Sequence, residues 1–186
     1  MITSETSLQE LAALVSQALA DAGISAVLSG GAAVSTYTDN EYESADLDFV
    51  CSAEAKHIAT AIAPLGFERG SKGHARYFDH PEARWFVEFP PGPVSFGSTV
   101  ADPEDIARIA TEQGTILIIT PTQCVMDRLA AYFHWSDQQS LDQAVMVARS
   151  RQIEWGLLKK WAAQEGIETK SLDYFEARVR KAQETS

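Results

Sequence analysis

The segment Ala45–Cys51 (ADLDFVC) alternates between apolar and small or polar residues, which is the pattern of a half-buried β-strand. Since successive strand residues face opposite sides, Asp46 and Asp48 project to the same side, about 7 Å apart. Leu47 and Phe49 point the other way and predict a hydrophobic core there. Two carboxylates on one face repel each other and lose solvation. A pair of divalent cations would cancel that cost, and a two-metal site suits phosphoryl chemistry.

A glycine pair precedes this strand along the chain. Ser25–Leu28 is a short apolar strand that stops at Ser29-Gly30-Gly31, and a helix of small residues, Ala32–Thr38, is predicted to follow. Glycines at a turn from strand to helix let backbone N–H groups approach a phosphate near the positive end of the helix. The simplest alternative is a plain turn, because short glycine patterns are common.

Glu88 is the third unusual acid. It lies in a strand, Arg84–Phe89, that has apolar residues on both faces, so the pattern predicts burial of its carboxylate. A buried carboxylate needs a partner. Glu88 would therefore complete a metal site with the two aspartates, or it would form an ion pair with Arg84 or Arg76.

In this order, the segments VLSGG, AAVSTYT, DLDFV and FVEF resemble the signature of the nucleotidyltransferase superfamily of DNA polymerase beta type. Within it, the chain looks most like small bacterial nucleotidyltransferase-like or AbiEii-type proteins, some of which belong to toxin–antitoxin systems. The resemblance implies that Asp46, Asp48 and Glu88 are catalytic and bind Mg²⁺ or Mn²⁺. It also implies that Gly30 and Gly31 bind a nucleotide. Ser29 is a candidate for the hydroxyl that often contacts the triphosphate.

Several cations are candidate nucleotide ligands. Lys72 and Arg76 could reach a triphosphate as point charges, or they could be ordinary surface cations. Asp127 and Arg128 are most simply a cap or an ion pair on a predicted helix, although Arg128 and His134 could line a cleft. The sequence alone leaves these alternatives open.

The order of elements predicts an α/β (α+β) fold, in which helices flank a mixed β-sheet and a helical segment follows. We expect a nucleotidyltransferase-like core over residues 1–120 and a C-terminal helical subdomain over 121–186, packed on the core. Further strands are expected between Gly66 and Pro90 and at Thr115–Thr120. A short helix is expected at Asp102–Ala110, because Asp102 can cap it and Pro103 suits its first position.

The chain carries a net charge of −11, which disfavours a protein whose main role is to grip a nucleic-acid backbone. The first 110 residues hold 16 of the 26 acidic residues, either as a solvated surface or as carboxylates that converge on cations. The sequence has no apolar run of about 18 residues, so no membrane helix is expected. Cys51 and Cys124 form no CxxC pair, and no signal-peptide pattern opens the chain, so we expect a cytoplasmic protein.

The expected activity is transfer of a nucleoside monophosphate from a nucleoside triphosphate to a hydroxyl group on a protein, an RNA or a small molecule. A place in a toxin–antitoxin system is part of this expectation. The alternative is a catalytically weak or inactive interaction module that binds a cognate toxin or antitoxin. A glycosyltransferase with an Asp-x-Asp motif fits less well, because such enzymes are normally longer.

Overall fold

The computed structural model of the protein describes residues 1–70 and 75–185. These residues form the strands β1 (Ala26–Ser29), β2 (Asp46–Cys51), β3 (Glu68–Arg69), β4 (Tyr77–Asp79), β5 (Phe86–Glu88), β6 (Ser95–Phe96), β7 (Thr99–Val100), β8 (Ala107–Thr111) and β9 (Gly114–Ile118). In the described part of the chain, β6 and β7 form a small hairpin, and the other strands form one sheet in the order β3–β4–β5–β2–β1–β9–β8. Parallel and antiparallel pairs both occur, so the predicted mixed sheet is confirmed.

Helices surround this sheet, as the sequence predicts. They are α1 (Leu8–Asp21), α2 (Gly30–Tyr37), α3 (Ala55–Ile62), α4 (Pro121–Trp135), α5 (Gln138–Ser150), α6 (Trp155–Gln164) and α7 (Thr169–Glu184). Capping boxes start α1 and α4, where Ser7 pairs with Glu10 and Thr120 pairs with Gln123. None of the described helices is long and apolar enough to cross a bilayer.

The two faces of the sheet differ as the alternation in β2 predicts. Leu47 and Phe49 are fully buried in the hydrophobic core, whereas Asp46 and Asp48 are half-buried on the opposite face. The core is continuous from α1 through the sheet to the C-terminal helices. The face that carries the aspartates is therefore the one on which a polar site can form.

The predicted helix at Asp102–Ala110 is wrong. Only Pro103–Asp105 form a short 3-10 turn, in which the Asp102 side chain accepts a hydrogen bond from the Glu104 backbone N–H. The chain then enters β8, which pairs with β9 as an antiparallel hairpin. The capping signal at Asp102 favours a helix for only one turn. Beyond that turn, pairing of β8 with β9 is more favourable than continuing the helix.

The hairpin of β6 and β7 ties the sheet to the C-terminal helices. Trp161 on α6 donates from its indole nitrogen to the Phe96 carbonyl (3.0 Å). Glu165, directly after α6, accepts hydrogen bonds from the Ser98 backbone N–H and from the hydroxyl groups of Ser98 and Thr99. Helix α4 packs against α2 as well. The expected division into a core and a helical subdomain at residue 120 stays a prediction.

Candidate active site

One cross-strand row of the sheet brings the predicted acids together. Asp48 on β2 pairs with Glu88 on the parallel strand β5 and with Ser29 on the antiparallel strand β1. Asp46 lies two residues earlier on β2 and so on the same face. Asp46, Asp48 and Glu88, here called the acidic triad, each contribute one carboxylate oxygen to a cluster in which these atoms lie within 4.8 Å of one another. Acids that are far apart in the sequence thus meet at one point.

The triad is an electrostatically unfavourable arrangement without a cation. Burial, together with the negative charges of Asp46 and Glu88, raises the pKa of Asp48 to about 7 against the opposing effect of Arg128. A nearby cation would favour the ionised form and remove this repulsion. Every donor in the triad is a carboxylate oxygen, which is the ligand type that Mg²⁺ and Mn²⁺ prefer. The residues present therefore fit a divalent cation.

The turn between β1 and α2 brings the backbone against the triad. Gly30 has φ +59°, in the left-handed region, and a Cβ atom there would overlap the Asp48 carboxylate. A Cβ atom on Gly31 would lie 2.5 Å from the Ser44 hydroxyl oxygen. Both positions are thus crowded, and Gly30 is crowded by a triad carboxylate itself.

Ser29 precedes α2 without capping it. Its hydroxyl donates to the Asp48 carbonyl at 3.4 Å, and no side chain in the described residues caps the first turn of the helix. Backbone N–H groups at a helix N-terminus form a natural anion site. The N-terminus of α2 therefore leaves donors available directly beside the acidic triad.

A groove of about 290 Å³ opens next to the triad. Its walls include Gly30 and Asp48 on one side, the proline-rich segment that follows β5, and Arg128 on α4. The groove therefore combines a helix N-terminus, a triad carboxylate and a cation from the C-terminal helices.

The sequence leaves two roles open for Arg128: an ion pair with Asp127, or a place in the wall of a cleft. In the structure Arg128 does both. It donates to the Asp127 carboxylate from Nε (3.0 Å) and Nη2 (2.5 Å), and to the Gln143 side chain from Nη1 (3.3 Å). Burial acts to lower the pKa of Arg128, but Asp127 and the more distant Asp48 outweigh it and raise that pKa. His134, the other open candidate, lies at the far end of α4, 3.8 Å from Glu165.

Arg76, a predicted nucleotide ligand, is held by the backbone. Its Nε donates to the Phe89 carbonyl (2.5 Å). Its two terminal nitrogens donate to the carbonyls of Ala53 (2.9 Å) and Cys51 (2.5 Å). The guanidinium therefore braces the chain where β2 and β5 end, and nothing in this arrangement supports a nucleotide contact. Lys72 lies outside the described residues, so its expected role stays a prediction.

The ion-pair alternative for Glu88 has no support among the described residues. Arg84 lies 3.5 Å from Glu43, and the donors of Arg76 are taken by carbonyl groups. Glu88 instead faces the two aspartates.

An aromatic pair borders the triad on its other side. Tyr77 on β4 is the cross-strand neighbour of Glu88, and its ring centroid lies 4.5 Å from that of Phe86. Burial raises the pKa of Tyr77, and a hydrogen bond and the charge of Asp79 add to this. The alternation of residues in β4 and β5 does not by itself show that these two rings meet. That contact follows only from the pairing of the two strands, so sequence analysis misses it.

Comparison with known proteins gives a likeness in structure but none in sequence. The sequence matches no protein-family model and no curated protein. An antigenic nucleotidyltransferase-like protein from Paracoccidioides brasiliensis superimposes with a TM-score of 0.56 at 16% identity, over 79% of this chain and 78% of that one.

The antibiotic-resistance factor ANT(2'')-Ia is also similar, in two structures. Its solution structure gives a TM-score of 0.51 at 9% identity over 100% of this chain and 94% of that one. Its crystal structure with adenylyl-2''-tobramycin gives 0.50 at 8% identity, over 94% and 97% of the two chains. These likenesses show that the chain has a nucleotidyltransferase-like fold.

Proposed function

We propose that the protein is a metal-dependent nucleotidyltransferase that moves a nucleoside monophosphate from a nucleoside triphosphate to a hydroxyl group. The observation that carries the proposal is the acidic triad, whose oxygens lie within 4.8 Å of one another, against a glycine turn that opens a helix. The crystal structure of ANT(2'')-Ia is of a complex with adenylyl-2''-tobramycin, so a protein of similar fold binds a nucleotidylated small molecule.

In this proposal Asp46, Asp48 and Glu88 would together hold two divalent cations. When bound, the cations would neutralise charge on the phosphates and lower the pKa of the acceptor hydroxyl group. The triad alone supplies only a few of the ligands that Mg²⁺ requires, and substrate phosphates would supply others. Metal and triphosphate should therefore depend on each other for binding.

The protein's own groups position the triphosphate and receive the proton. The N–H groups at the start of α2 donate to phosphate oxygens, and Gly30 leaves room for the Asp48 carboxylate beside them. Arg128 adds a positive charge across the groove, held in place by Asp127 and Gln143.

In the transfer itself, the acceptor oxygen forms a bond to the α-phosphorus while the bond from that phosphorus to the bridging oxygen breaks. Pyrophosphate leaves, and the hydroxyl proton passes to a carboxylate of the acidic triad. Atoms and charge therefore balance without any further reactant.

Calorimetric titration with each of the four ribonucleoside triphosphates, with and without Mg²⁺, tests the proposal. We expect metal and at least one triphosphate to raise each other's affinity by about tenfold or more. Asp46→Ala should abolish this coupling, because it deletes a shared metal ligand. Asp173→Ala, which removes an exposed acid on α7, should leave the coupling unchanged.

If no triphosphate binds the wild-type protein under any metal condition, the enzyme proposal fails and an interaction module takes its place. A cognate toxin or antitoxin, a relation to AbiEii-type proteins and a cytoplasmic location stay predictions. Binding of a triphosphate would leave the acceptor to be found.

A further inference from the structure

A second and larger cavity, of about 530 Å³, opens on the same face of the sheet as the acidic triad. It shares two wall residues, Val50 and Pro93, with the groove beside the triad. A volume of this size is typical of a site for a small molecule. The cavity is therefore next to the proposed reaction centre, and the proposed mechanism places no part of the substrates in it.

The floor of the cavity is one cross-strand row. Val50 on β2 pairs with Val27 on β1, and Leu117 on β9 pairs with Arg108 on β8. The pairing of Leu28 with Ile118 places Leu117 beside Val27. This row lies next to the row that contains Asp48, two residues further along β2, and it spans three strand spacings, or about 14 Å.

The lining is mostly aliphatic, with two serines, Ser25 and Ser52, and a cation at one end. Val94 and Ile106 are among the side chains that close the cavity, and Arg108 is the one charged residue among the walls that the described residues form. Arg108 is exposed, and no carboxylate of the described residues lies within ion-pair distance of it. Because the charge among the described wall residues is positive, the cavity favours an anionic ligand over an amine.

The lining also distinguishes this cavity from a base-stacking site. Among the described residues, no aromatic side chain contributes to its walls, whereas Tyr77 and Phe86 form an aromatic pair on the opposite side of the triad. A flexible aliphatic body matches the cavity better than a nucleobase does, since a base gains most from aromatic neighbours.

We propose that this cavity holds the acceptor, a small aliphatic molecule with a carboxylate at the Arg108 end and a hydroxyl group at the groove end. This inference rests on the proposed nucleotidyl transfer, and it adds the chemical class of the acceptor. The carboxylate of this acceptor accepts hydrogen bonds from the Arg108 guanidinium. Its aliphatic chain lies over Leu117, Val27 and Val50, and its hydroxyl group enters the groove beside Asp48. The product is a phosphodiester of the hydroxy acid, with pyrophosphate released.

Binding is measured first, without metal or nucleotide, by calorimetry with decanoate, decanol and decylamine. We expect decanoate to bind best and decylamine worst. Arg108→Met should weaken decanoate binding by about tenfold or more, because a charged hydrogen bond is lost, and should leave decanol binding unchanged. Val94→Trp should fill the cavity and weaken both. Arg180→Met, at an exposed arginine on α7, is the matched control and should change nothing.

Transfer is then measured with ω-hydroxydecanoate, Mg²⁺ and each triphosphate, with mass spectrometry to detect the added nucleoside monophosphate. Equal decanoate affinity in the wild-type and Arg108→Met proteins, or tighter binding of decylamine, would overturn the inference. So would decanoate binding without transfer to the hydroxy acid by a protein that binds triphosphate. If decanoate binds as expected and no triphosphate does, the proposed nucleotidyl transfer fails, and the acceptor role fails with it.

Discussion

Gly30 combines a backbone conformation and a close contact that together exclude a side chain. Its φ of +59° disfavours any residue with a Cβ atom, and the Asp48 carboxylate occupies the space that this atom would need. Gly166 has a similar φ of +72°, yet a Cβ atom there would meet nothing within 4 Å. Comparing substitutions at Gly30 and Gly166 therefore separates the effect of backbone conformation from the effect of a steric clash with Asp48.

We therefore expect Gly30→Ala and Gly166→Ala each to lower the free energy of unfolding by about 1 kcal/mol, from backbone conformation. Only Gly30→Ala should also displace the Asp48 carboxylate and weaken Mg²⁺-dependent triphosphate binding, by about tenfold or more. Urea unfolding and calorimetry measure the two effects. Equal triphosphate affinity in both variants would show that the turn does not contribute to the site.

Asp48 makes the stability of the metal-free protein depend on pH. Its pKa is about 7 in the folded protein, against about 3.9 for an unperturbed aspartate. Between these values the folded state holds the proton more firmly than the unfolded state does. The stabilising contribution is therefore complete at low pH and is lost as the pH rises through about 7.

We expect Asp48→Asn to remove this dependence and to leave the protein as stable as wild type or about 1 kcal/mol more stable at neutral pH. Urea unfolding with a chelator, from about pH 5 to about pH 8, measures it, with the exposed residue Asp173 changed to Asn as control. Marked destabilisation by Asp48→Asn would instead identify Asp48 as a structural hydrogen-bond acceptor.

The hairpin of β6 and β7 depends on one carboxylate from outside the sheet. The Glu165 side chain is only 3% exposed and accepts hydrogen bonds from Ser98 and Thr99. Burial acts to raise the pKa of Glu165, but these hydrogen bonds outweigh it and hold that pKa below its ordinary value. The contact is therefore complete above the unfolded pKa and is lost as the pH falls through the lower, folded value.

Glu165→Gln should lower the free energy of unfolding by about 2 kcal/mol, since charged hydrogen bonds are replaced by weaker ones. It should also speed amide hydrogen exchange at Ser98, because that N–H loses its charged acceptor. Glu184→Gln, at an exposed position near the end of α7, is the control. Unchanged exchange at Ser98 would mean that the hairpin is held by the Trp161 contact alone.

Elements with a strong local pattern could be predicted from the sequence, and elements made by distant pairing could not. The alternating strand β2, at Asp46–Cys51, lies where its periodicity predicts a strand. A helix is wrongly predicted at Asp102–Ala110, because the capping signal there supports only one 3-10 turn. The residues after that turn form β8 because they pair with β9. The hairpin of β6 and β7 gives no pattern, since each strand has only two residues.

The same division applies to the site as a whole. The clustering of Asp46, Asp48 and Glu88 could be predicted, because each is an acid within the apolar pattern of its own strand; their role in binding metal stays a prediction. The place of Arg128 beside Gly30 could not, because it arises from the packing of α4 against α2, segments that are far apart in the chain. The aliphatic cavity likewise exists only once β8 and β9 extend the sheet beside β1.

The central position of β1 has a consequence for how the protein is made. Strand β1 hydrogen-bonds to β2 on one side, but its other side is covered by β9, where the Ile119 N–H donates to the Leu28 carbonyl (3.1 Å). A ribosome releases β1 and β2 long before β9, so the nascent chain carries an apolar strand with an unpaired edge through much of its synthesis. Such an edge pairs readily with other chains. We therefore expect aggregation of this protein to start between nascent chains on the same polysome.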